Sequence, residues 1–103
     1  MRLREYIQED GSIPFKKWFN SLNYQAAAKV SVALARIEQG NTSNIKWFSG
    51  LGEYIIDWGA GYRIYLLQDG DDLIVLLGGG TKRRQQKDIE KARKLLREYK
   101  SRR

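Results

Sequence analysis

The sequence predicts an α+β domain, a small antiparallel β-sheet with an N-terminal helical hairpin and a C-terminal helix. Three observations predict it. Apolar residues recur at helical spacing between Pro14 and Gly40 and again after Gly80; they alternate with period two between Glu53 and Leu67; and an unbroken apolar run spans Leu73 to Leu77. The 103 residues suit a single domain (1–103) with one small core, since domains usually run about 100–200 residues.

Leu3 to Gln8 sets Leu3, Glu5 and Ile7 against Arg4, Tyr6 and Gln8, the pattern of a short edge strand or an extended arm. Pro14, the only proline, falls in the first turn of the next segment, where its missing N–H costs nothing. Phe15, Trp18, Phe19 and Leu22 follow at helical spacing, and Asn20 to Asn23 breaks the helix. Ala27, Val30, Leu34 and Ile37 form the stripe of a second helix, which Gly40 ends. Asn41 to Gly52 reads as a loop around the island Ile45-Lys46-Trp47-Phe48. Beyond it, Tyr54, Ile56 and Trp58 share one strand face, Gly59-Ala60-Gly61 makes a tight turn, and Tyr62, Ile64 and Leu66 oppose Arg63, Tyr65 and Leu67. After the turn at Asp69-Gly70-Asp71, Leu73 to Leu77 suits a central strand covered on both faces, ended by Gly78-Gly79-Gly80. Ile89, Ala92, Leu95, Leu96 and Tyr99 mark the last helix, a narrow apolar stripe among lysines and arginines.

The net charge of +7 is unevenly spread. Lys82 to Arg103 hold eleven basic and three acidic residues, against eight and nine in the rest of the chain, so a near-neutral body carries a cationic end. That asymmetry points to a polyanion or an acidic partner. Cysteine and histidine are both absent, which excludes disulfides, thiol nucleophiles, thiolate metal sites, zinc hydrolysis and Ser-His-Asp catalysis. No metal site and no cofactor are expected. The first residues lack the apolar stretch of a signal peptide and Leu73 to Leu77 is too short to span a bilayer, so a cytoplasmic protein without membrane association is expected.

Chemistry can sit in three places. Arg63, flanked by hydrophobes in a strand, either pairs with Asp57 or Glu53 across the hairpin or binds phosphate bidentately as an always-charged guanidinium. Lys82-Arg83-Arg84 opens the last helix, where main-chain N–H groups and the helix dipole suit an anion; the same run also fits a solvated basic surface. The triple glycine before it lacks the G-x-x-x-x-G-K-[ST] spacing of a nucleotide loop. Lys46-Trp47-Phe48 mixes a cation with aromatic faces, as single-strand binders do, with Trp47 or Tyr65 expected to be the exposed ring.

At Gly59-Ala60-Gly61-Tyr62-Arg63-Ile64-Tyr65, and again from Leu76-Leu77-Gly78-Gly79-Gly80-Thr81-Lys82 through Gln85 and Asp88-Ile89, the sequence resembles the RelE/ParE toxin superfamily. Within it the chain is most similar to the HigB-like, phage-related addiction module killer proteins. The resemblance spans nearly the whole chain and implies a RelE/ParE-like fold. It also implies the toxin half of a type II toxin–antitoxin pair, restrained by a cognate antitoxin protein and acting as a metal-independent endoribonuclease on mRNA in the ribosome, so inhibiting translation. By position, Arg63 matches the family's strand arginine and is expected to stabilise the transition state. Lys82, with Arg83 and Arg84, matches the basic patch that positions phosphate or donates a proton. Lys46 is the expected base, its proton made easier to lose by neighbouring cations. Arg83, Arg84, Trp47 and Tyr65 are the expected substrate contacts.

The sequence also departs from the family pattern. Ile55 stands where relatives often have an arginine, Thr81 where they have an aspartate, and Ile89 near the place of a stacking tyrosine. Two alternatives follow, a ParE-like toxin that inhibits gyrase and a catalytically inactive basic module that binds nucleic acid or antitoxin.

Overall fold

A computed structural model describes residues 1–102. The elements run β1 (Arg2–Glu5), α1 (Pro14–Asn20), α2 (Tyr24–Glu38), β2 (Ile45–Phe48), β3 (Leu51–Ile56), β4 (Tyr62–Asp69), β5 (Leu73–Thr81), a 3-10 turn over Lys82–Arg84, and α3 (Gln85–Ser101). The class is α+β, and the sheet has the order β1-β5-β4-β3-β2.

The sheet is mixed, not purely antiparallel. β1 runs parallel to β5, from Arg2 opposite Leu73 to Glu5 opposite Leu76, while β2 to β5 form an antiparallel meander. A parallel pair needs a long crossover, and here the whole of α1 to β4 separates its two strands. The expected loop around Ile45-Lys46-Trp47-Phe48 is a fifth strand, β2, paired with β3. The turn that joins them, Ser49-Gly50, has positive φ at both residues (53° and 84°), as a type I′ hairpin turn requires. Serine rarely adopts that conformation, so the turn carries no strong signal in the sequence.

β5 does not stop at its glycines. Thr81 still pairs with Tyr62, Gly80 with Arg63 and Gly79 with Ile64. A Cβ on Gly79 would collide with the Trp18 ring and one on Gly80 with the Asp88 carboxylate, so these glycines admit close neighbours and do not break the strand. β5 lies inside the sheet as expected, although β4 holds the middle place.

Each face of the sheet has its own core, in place of the single one expected. On one face Phe15 of α1 and Val30, Ala33 and Ile37 of α2 pack on Ile45, Tyr54, Ile64, Leu66, Ile74 and Leu76. On the other, Ala92, Leu95 and Leu96 of α3 pack on Leu51, Tyr65, Leu67, Val75 and Leu77. Each leucine buried there stabilises by about 1.5–3 kcal/mol. Polar contacts then fix how the helices lie. The Asn23 side chain accepts from Ala26 N–H at 2.9 Å and caps α2, worth about 1 kcal/mol. Arg93 donates to the carbonyls of Phe48 (2.7 Å) and Ser49 (3.1 Å), and Arg102 to that of Ile7 (3.1 Å), so α3 is tied to the β2–β3 turn and to the segment after β1. Its N-terminus is thereby held at the end of the sheet where β3 turns into β4. Among the described residues no helix is long and apolar enough to cross a membrane.

Candidate functional site

The turn between β3 and β4 closes with Gly61 N–H on Trp58 O at 3.0 Å, and Gly61 takes φ +73° to complete it. Its carbonyl oxygen then collects two donors, the main-chain N–H of Lys82 at 2.9 Å and Nη1 of Arg63 at 2.8 Å. The two segments that carry the family resemblance therefore meet at one atom. Lys82 and Arg63 flank the Cα of Gly61 so closely that a Cβ there would lie 3.2 Å from Lys82 Cβ and 3.4 Å from Arg63 Nη1.

Arg63 is buried, with 7% of its surface exposed. Its Nε lies 3.5 Å from Oε2 of Glu53, a carboxylate that is itself buried. Of the two partners the sequence offered, Glu53 and not Asp57 is the one in place, reaching diagonally across the β3–β4 ladder. The same Oε2 accepts from the Tyr65 hydroxyl at 3.0 Å and from Gln85 Nε2 at 2.9 Å. Arg63 Nε itself makes no hydrogen bond among the described residues. Such a pair costs desolvation of both charges, and extra donors on the carboxylate offset part of that cost.

Tyr65, expected at the surface, is buried in the α3 core because its face of β4 is the one α3 covers. Burial, with the Glu53 carboxylate beside it, pushes the Tyr65 phenol well above its usual range, so it stays a donor at any working pH. Gln85 falls within the second segment that carries the family resemblance, but the sequence assigns it no role. Glu53 was legible only as a possible charge partner, although a carboxylate within a strand whose neighbours are apolar signals a buried network.

The other cations are exposed. Lys46 stands directly opposite Glu53 in the β2–β3 pair, on the same face as Arg63 and Tyr65, so the neighbour it meets there is a carboxylate and not a cation. Trp47 is 43% exposed, the exposed ring that was expected; as the next residue along β2 it lies on the opposite face, away from Arg63. Lys82, Arg83 and Arg84 are exposed and form no ion pair among the described residues. Arg84 lines a groove between α1 and α3 that also contains Asp88. Burial raises the Asp88 carboxyl above its ordinary value and the Arg84 charge opposes that shift, while Asp88 Oδ2 has no hydrogen-bond partner among the described residues. The structure thus brings Arg63, Lys82 and Lys46 to one end and face of the sheet, leaves Trp47 behind it, and seals Tyr65 beneath it. The exposed lysines can attract a phosphate chain, and Glu53 holds the largely buried Arg63 beside them.

The chain is 39% identical over 94 residues to a Haemophilus influenzae protein described as uncharacterized, a match that covers 89% of this chain and 95% of the relative. No protein-family model matches the chain, and no solved structure does.

Proposed function

The chain belongs to the same family as the Haemophilus influenzae protein, and we propose that it is the toxin of a type II toxin–antitoxin pair that cuts mRNA on the ribosome. The observation that carries this reading is the convergence of Arg63 and Lys82 on the carbonyl of Gly61, beside an exposed basic turn. Cleavage of RNA without a metal needs a base for the 2′-hydroxyl, positive charge at the phosphorane and an acid for the leaving 5′-oxygen. In this reading Arg83 and Arg84 hold the flanking phosphates, Arg63 supplies charge at the phosphorus, Lys82 protonates the leaving oxygen, and solvent water takes the 2′ proton. Lys46, which stands opposite the Glu53 carboxylate and not beside a cation, adds positive charge in place of the expected role as base. Glu53, Tyr65 and Gln85 position the guanidinium of Arg63 and do not touch the RNA. The antitoxin, a protein partner, covers the basic turn.

Induced expression of wild type beside Lys82→Ala tests it, because Lys82 is exposed and its removal leaves the core intact. Growth arrest that the variant loses supports the reading, and equal arrest by both contradicts it. The burial of Arg63 against Glu53 favours a second reading, a toxin or basic module that binds without cutting, whether to gyrase or to nucleic acid. Arrest with intact mRNA, or salt-sensitive binding with no arrest, distinguishes that reading.

A further inference from the structure

The outer edge of β5 is only half used. β1 pairs with Leu73 to Leu76 and leaves, so Leu77 to Thr81 has β4 on one side and no strand on the other. Along this free edge, between α1 and α3, runs a groove of about 460 Å3. Its floor includes Gly78, where an added Cβ would meet nothing within 4 Å. Gly79 and Gly80 are bare because Trp18 and Asp88 fill the space above them; Gly78 is bare beneath open space. A glycine within a strand often marks the place where another backbone approaches.

The walls have the charge of a receptor for an anionic chain. Lys17 stands on the α1 side, Arg84, Lys87 and Lys91 stand on the α3 side, and all four are exposed. Among the described residues Asp88 is the only carboxylate lining the groove, and its Oδ2 is buried over Gly80, turned away from an occupant. A phosphodiester backbone brings acceptors alone to the strand edge, whereas a peptide backbone brings both N–H and C=O groups to it, and acidic side chains satisfy the lysines. We propose that this groove seats an extended acidic segment of a partner protein, which lies along the free edge of β5 and continues the row that β1 begins. The proposal rests on the groove alone and holds whether or not the chain cuts RNA.

Trp18 lines the groove and reports its occupancy. The probe is a short acetylated peptide that alternates valine with glutamate, titrated into the full chain while the indole N–H signals are followed by NMR. The Trp18 signal is expected to move at saturation, those of Trp47 and Trp58 to stay, and the same peptide with lysine in place of glutamate to have no effect. Gly78→Val, whose side chain enters open space, is expected to keep its melting temperature and weaken the peptide by about tenfold or more, as is the double variant Lys87→Glu, Lys91→Glu. A Trp18 signal unmoved by the acidic peptide overturns the proposal. So does undiminished binding by folded Gly78→Val, or oligouridylate that moves Trp18 more tightly than the peptide, which would make the groove a nucleic-acid site.

Discussion

Arg63 and Lys82 donate to the same acceptor, the carbonyl oxygen of Gly61, one through its guanidinium at 2.8 Å and the other through its main chain at 2.9 Å. This shared atom fixes the distance between the strand cation and the cation that opens the last helical segment. It depends on a backbone that only glycine adopts readily, φ +73°. Gly61→Ala is therefore expected to cost about 1–2 kcal/mol in urea unfolding from the left-handed conformation alone. Unchanged stability would show that the turn does not need this geometry.

The pair beneath that turn behaves as a unit. Removing one partner leaves the other charge buried, so Glu53→Ala or Arg63→Ala is expected to lose about 3–5 kcal/mol. The double replacement Glu53→Met, Arg63→Met buries no charge and is expected to lose much less than the two single losses together. A double-mutant cycle by denaturant unfolding measures this directly, and additive losses would mean that the two side chains do not interact.

Asp88 gives the fold a pH dependence of opposite sign to that of an ordinary paired carboxylate. Its carboxyl titrates higher in the folded chain than in the unfolded one because it is partly buried, so protonation favours folding. Its stabilising effect is full below the ordinary value of 3.8 and is lost as pH rises through the folded value. Asp88→Asn is expected to melt higher than wild type at pH 7, with the gain shrinking to nothing as pH falls toward 3.8. Thermal melts of the two proteins across that range decide it; a constant difference would assign the effect to packing.

The three adjacent glycines of β5 are expected to respond differently. Gly80→Ala drives a methyl into the Asp88 carboxylate, and Gly79→Ala drives one into the Trp18 ring, each expected to cost about 1–3 kcal/mol as overpacking. Gly78→Ala meets open space and is expected to leave stability unchanged or raised. Three chemical unfolding curves suffice, and equal losses at all three positions would contradict the packing described here.

Much of this architecture is legible in the sequence because the signals are local. The stripe of Val30 and Ile37, the alternation around Arg63, and the stripe of Leu95 and Leu96 each name an element and its buried side. What is not legible depends on distant contacts. The parallel pairing of β1 with β5 joins the first strand of the chain to the last strand of the meander, and only the exposed Arg2–Asp72 ion pair marks it locally. Gly78 to Gly80 read as a strand end until Trp18 and Asp88 are placed above two of them. The alternation puts Tyr65 and Arg63 on one face, but only the position of α3 says that this face is buried. In the same way the sequence supplies Glu53 as one partner for Arg63 among two, while Gln85 joins the network only because α3 is anchored over it.

The central claim is that the cations gathered at Gly61 serve RNA cleavage on the ribosome. The most direct test is to map the 5′ ends of cellular mRNA shortly after inducing wild type, Lys82→Ala and the pair-breaking Glu53→Gln. The account predicts new ends within translated frames for wild type, their loss in Lys82→Ala, and a reduced yield in Glu53→Gln as Arg63 loses its positioning carboxylate. Growth arrest by wild type with no new 5′ ends would contradict it.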